Sequence, residues 1–110
     1  MQNTIDQLVL AYNAGNARAF ANLFTLDAQV YEHAGRLSQQ NREEIFVYYQ
    51  DLFTRYPLNC TTVLHRIVLG KRIIDHEQVQ RSPEHDPFRV VTIYELKGGL
   101  IGRIDFLRGE

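Results

Sequence analysis

Acid–base chemistry is the first thing the residue types allow. The stretch "DAQVYEHAG", residues 27 to 35, sets Glu32 in a strand-like run beside Val30, Tyr31 and Ala34. A carboxylate aimed into an apolar pocket has its pKa raised by desolvation, which suits a general base or acid. One aimed outward is instead a rim charge paired to an arginine or lysine. Both readings stay open on the residues alone. His76 poses a similar choice. It relays a proton if it meets a carboxylate across a cavity, and it is a core histidine if a hydroxyl or carbonyl satisfies its ring. In "DHE", residues 75 to 77, a strand sends Asp75 and Glu77 to one face and His76 to the other, so these three cannot gather round a metal. His33, His65 and His85 show no zinc-type spacing and Cys60 is the only cysteine, so neither a metal nor a cofactor is expected. Tyr48, Tyr49 and Tyr56 follow a helical stripe, and a buried tyrosine hydroxyl needs a partner that Glu32 could supply.

Those side chains need elements to position them. "TIDQ" reads as a capping box between Thr4 and Gln7, followed by Ile5, Leu8, Val9 and Tyr12 at helical spacing. Gly15 can end that helix in the left-handed conformation, and Asn16 can cap a second, short one carrying Phe20, Leu23 and Phe24. A strand follows at about 28–33. Asn41 and Glu44 open a third helix with Ile45, Tyr48, Tyr49, Leu52, Phe53 and Tyr56 on its apolar stripe, stopped by Pro57. From Cys60 the period changes to two. "TTVLHRIVL" and "RIIDHEQVQ" flank Gly70-Lys71 as a hairpin, residues 81–87 form a polar loop, and "FRVVTIYEL" and "LIGRIDFLR" flank "KGG" as a second hairpin. Gly102 marks a bulge or bend in the last strand. Three helices and one early strand, then four antiparallel strands, predict an α+β domain with helices on one face of a curved antiparallel sheet. A sheet closed by helices into a cone encloses a ligand cavity.

The 110 residues fit a single domain, 1–110. A formal net charge of −1 gives no electrostatic footprint for nucleic acid or an anionic membrane. No apolar run approaches the roughly 20 residues of a membrane span, and "MQNTIDQLV" does not read as a signal peptide. With a lone cysteine, these features predict a cytoplasmic protein. Val91 and Ile93 give one face of their strand an apolar surface, which predicts a homodimer through the sheet.

"YNAGNARAFANLFTLDAQVYEHAG", "NREEIFVYYQDLF" and the final "GGLIGRIDF" together resemble the NTF2-like (cystatin-like) superfamily, in its SnoaL-like and steroid delta-isomerase-like branch. The resemblance covers nearly the whole chain and implies the cone fold. It also implies roles. Ketosteroid isomerases carry their base just after "DA-x-V-x", which here is Glu32. Their oxyanion-hole tyrosine falls on Leu8 and their protonated aspartic acid on Thr92, so both donors are missing; a supporting tyrosine falls on Tyr49. Steroid isomerisation needs those donors, because the enolate must be stabilised as it forms. The chain is therefore not expected to be a true ketosteroid isomerase. With Glu32 inward, Ala28 and Val30 are inward too. Register with the family then places Ile74, His76 and Gln78 inward on one strand, Val90, Thr92, Tyr94 and Leu96 on the next, and Ile104 and Phe106 on the last. Tyr12 joins them, one helical turn beyond Leu8. The expected site is an apolar pocket with Glu32, His76 and Tyr49 as catalytic groups. Its ligand walls are Leu8, Tyr12, Val30, Thr92, Tyr94, Ile104 and Phe106. The expected activity is cofactor-free proton transfer, of isomerase or lyase type, on a small hydrophobic molecule. The alternative is a non-catalytic binding or interaction domain of the same fold.

Overall fold

The computed structural model describes residues 2–32 and 35–108. The order is α1 (Gln2–Asn13), α2 (Ala17–Ala21), β1 (Phe24–Glu32), β2 (Arg36–Gln39), α3 (Arg42–Arg55), β3 (Cys60–Leu69), β4 (Arg72–Gln80), β5 (Phe88–Lys97) and β6 (Leu100–Arg108). The six strands form one open sheet in the order β2-β1-β6-β5-β4-β3.

Local chemistry explains most boundaries. The amide of Gly15 bonds the Tyr12 carbonyl and that of Asn16 the Ala11 carbonyl, while Gly15 takes φ +67°. This is the paired bonding of a Schellman cap, and the positive φ is why glycine stands there. Asn16 Oδ1 accepts from the Ala19 amide and Asn41 Oδ1 from the Glu44 amide, each closing a helix N-terminus. Gly98 and Gly99 both have positive φ in the two-residue β5–β6 turn. Glu95 pairs with Arg103 but Leu96 with Ile101, so Gly102 is the extra residue of a bulge.

Three expectations are corrected. Thr4 lies inside the first turn of α1 and does not cap it; its hydroxyl donates to the Gly99 carbonyl at 2.8 Å, fastening the helix to the β5–β6 turn. The early strand starts at Phe24, and a second short strand, β2, pairs with it. β1 lies parallel to β6, so the sheet is mixed. A period of two reports which face a side chain takes, not the direction of the neighbouring strand. The sheet is open at both edges, and the helices cover its curved face as expected of the fold.

The helices pack on the concave face through an aromatic core. Phe20 sits 4.4 Å from Tyr49 and 5.4 Å from Phe24 between ring centroids, and Tyr12 sits 5.4 Å from Phe53. Two polar ties fix α1 against β3. Asn13 exchanges two hydrogen bonds with the backbone of Thr61. Arg66 reaches both the fully buried Asp75 and, at 2.6 Å, Asp6 of α1. Among the described residues no helix is long and apolar enough to cross a membrane.

Candidate functional site

α1, α3 and the concave face of the sheet enclose a cavity of about 130 Å³. Val30, Thr92, Tyr94 and Ile104 are almost fully buried on its sheet wall, and Leu8 and Tyr49 on its helix wall. Tyr12, Phe106 and Glu32 also line it. Burial holds the Tyr49 and Tyr94 phenols well above 10, so both remain O–H groups.

Glu32, at the end of β1, lines the cavity with its side chain 35% exposed. Ser38 Oγ donates to its Oε2 at 3.0 Å, Arg36 stands 4.0 Å away, and the Gln39 side-chain amide donates to Ser38 Oγ in turn. All three supports come from β2 or its start. None of His76, Tyr12 or Tyr49 bonds it. The Tyr12 hydroxyl instead accepts from Arg81 Nη1 at 2.9 Å.

His76 lies on the other side of the sheet. On β4 the buried positions are Ile73, Asp75, Glu77 and Val79, so the inward set is the reverse of Ile74, His76 and Gln78. The His76 ring stacks on His65 at 6.0 Å, away from the cavity. Two pairings carry this parity: Ile73 sits opposite Tyr94 and Asp75 opposite Thr92, both inward on β5. Seven residues connect β4 to β5, too many for the turn to dictate register.

The carboxyl that this parity delivers to the cavity is Glu77, 6% exposed. Thr61 Oγ1 donates to its Oε1 at 2.9 Å and the Tyr94 hydroxyl lies 3.4 Å from its Oε2. Burial raises its pKa; two hydroxyls pull it partly back, that of Thr92, which stands near without hydrogen-bond geometry, and that of Thr61, which donates to it. Thr92 Oγ1 itself is buried without a hydrogen-bond partner, as is Oε1 of Gln39. Both residues line the cavity. Polar atoms enclosed this way are costly unless something satisfies them. Glu77, Gln39, Arg81, Phe88 and Arg108 were all missed by sequence reading; only the ambiguous alternation of β4 held any signal for Glu77. Among the described residues, no group of three or more His, Cys, Asp or Glu is placed to hold a metal.

The raised pKa makes Glu77 a pH probe. The folded state holds its proton more tightly than the unfolded chain, so its contribution to stability is complete below the ordinary value of 4.5 and is lost as pH rises from there through the raised value. Glu77→Gln is expected to remove that loss, leaving a variant that melts above wild type at pH 7 and matches it near pH 4. Melting curves across this range check it; parallel curves for the two proteins would contradict it.

The SnoaL-like domain family matches residues 5–104. The chain belongs to this family. Its fold is the cystatin-like one that NTF2-like and ketosteroid isomerase-like proteins share. A similar solved structure is an uncharacterised cystatin-fold protein from Novosphingobium aromaticivorans, 26% identical over 96% of both chains, with a TM-score of 0.89. An NTF2-like protein of unknown function from Cytophaga hutchinsonii shares 11% identity over 98% of this chain and 88% of its own, with a TM-score of 0.82. A protein with a ketosteroid isomerase-like fold from Catenulispora acidiphila, solved with trimethylamine, shares 16% identity over 96% of this chain and 85% of its own, with a TM-score of 0.83. The last two show the fold alone. No curated protein matches the chain. The SnoaL-like framework therefore accounts for the helix-covered sheet, and the chemistry rests on this chain's own side chains.

Proposed function

We propose that this SnoaL-like protein carries out cofactor-free proton transfer, of isomerase or lyase type, on a small hydrophobic molecule. One observation supports the reading above all: a single cavity holds two carboxyl groups in unlike settings, Glu32 reaching water and Glu77 desolvated. Carboxyls held apart in this way divide the work of base and acid. Glu32 takes a proton from carbon next to a carbonyl. Glu77, whose pKa burial raises, and the Thr92 hydroxyl donate to the oxygen on which charge develops. They replace the donors that Leu8 and Thr92 lack in the ketosteroid isomerase pattern. The test is deuterium incorporation at the methyl group of acetophenone in D₂O, followed by NMR. Exchange well above the buffer rate is expected. Acetophenone that binds but exchanges no faster than in buffer favours the second reading, a binding domain without catalysis. Leu8, an aliphatic wall where a phenol would stand, is the feature that supports that reading.

The assembly proposed is a homodimer in the cytoplasm. The convex face presents Ile67 and Leu107, 55% and 47% exposed, with half-buried Ile74, Val91 and Ile93 between them. Sedimentation at micromolar concentration should give a dimer, and Ile93→Lys should give a monomer of unchanged fold. A wild-type monomer would count against the assembly. The exposed free thiol of Cys60 suits a reducing compartment.

A further inference from the structure

The cavity has a cationic side that the proton-transfer reading does not use. Arg81 and Arg108 both line it and both lie over the Phe88 ring, their guanidinium carbons 5.2 and 4.1 Å from its centroid. Arg81 is partly buried, and Nη1 is held by the Tyr12 hydroxyl and by Asn59 Oδ1 at 2.8 Å. Among the described residues its Nε and Nη2 make no hydrogen bond, and neither arginine pairs with a carboxylate. Glu32 lines the same cavity but already has Arg36 and Ser38 as partners. Tyr48 senses this field: burial and Glu32 raise its pKa, while Arg81 and Arg108 lower it. A partly desolvated guanidinium with idle donors favours a charged acceptor over a neutral one.

From this geometry we propose that the molecule bound here is a carboxylate with a one-ring apolar body, its anionic end held by Arg81 and Arg108. The body is set by size. A cavity of about 150 Å³ holds a benzene ring, and this one measures about 130 Å³. A single negative charge fits better than two, because Glu32 opposes further anionic charge in the same cavity. The inference rests on the reading of the cavity as a ligand site and names the class of molecule it takes.

Phenylacetate and its neutral isostere phenylacetamide separate charge from shape. Titration of the whole chain, followed by NMR at low salt, is expected to show phenylacetate binding about tenfold or more tighter than the amide. Arg108→Gln, at an exposed strand end, should shrink that ratio severalfold, and Arg81→Gln should do so more strongly. If Arg81→Gln loses its fold by circular dichroism, Arg108→Gln still decides the matter. Equal affinity for acid and amide, or a ratio untouched by Arg108→Gln, overturns the anionic class and leaves the ligand site standing. Binding of neither probe overturns both.

Discussion

Glu32→Gln is expected to slow catalysed deuterium exchange by roughly 10²–10⁴-fold, the range of a positioned general base. The substitution keeps shape and Oε1 while removing the basic oxygen, so a loss of rate reports chemistry rather than packing. The surroundings predict that the fold survives. Glu32 is 35% exposed, and its partners Ser38 and Arg36 belong to the adjacent edge strand rather than the core. Melting temperature should therefore change little. Ser38→Ala gives a graded companion. It removes the hydroxyl that holds the carboxylate and should lower the rate by less than Glu32→Gln, with unchanged affinity for an unreactive ligand. A Glu32→Gln protein that exchanges at the wild-type rate would remove Glu32 from the role of base.

Arg66→Met is expected to cost about 3–5 kcal/mol of folding stability, the range for a buried charge stripped of its partner. Asp75 has no exposed side-chain surface, and Arg66 alone meets both its oxygens, at 2.6 and 2.8 Å. Methionine leaves that carboxylate enclosed among apolar groups. It also cuts the tie from β3 to Asp6 on α1, but the Asp6 side chain is 59% exposed and that part of the loss is small. The double variant Arg66→Met, Asp75→Leu should recover most of the stability, because an apolar pair of similar size has no charge to desolvate. Urea denaturation of the single and double variants measures this. A single variant within about 1 kcal/mol of wild type would show that water reaches Asp75.

The same pair shows why β4 was legible only in part. "RIIDHEQV" puts Ile73 and Val79 on one face and Ile74 on the other, so hydrophobicity does not choose between them. What chooses is the availability of partners: Arg66 for Asp75, and Thr61 and Tyr94 for Glu77. Those partners lie on other strands, and buried acids are tolerated inside only where such groups meet them. On β5 the inward set Val90, Thr92, Tyr94 and Leu96 followed from register with the family, because the outer set mixes Val91 and Ile93 with Arg89 and Glu95 and hydrophobicity alone does not choose. Caps and turns were plainer. Asn16, Asn41, Gly15 and Gly102 act on groups within a few residues of themselves, so a short stretch of chain suffices to read them.

The sequence by itself determined the helix-then-strand order and the helix boundaries at Gly15 and Asn41, because each is written in local spacing, and the resemblance of longer stretches pointed to the family. Only the tertiary structure decided three other things: that His76 lies outside and Glu77 inside, that β2 props Glu32 through Ser38, and that Arg81 and Arg108 meet over Phe88. The reason is range. Residues 81, 88 and 108 share one ring only after β4, β5 and β6 have paired, and the seven-residue loop between β4 and β5 leaves the register of those two strands to be fixed by which side chains can be buried together.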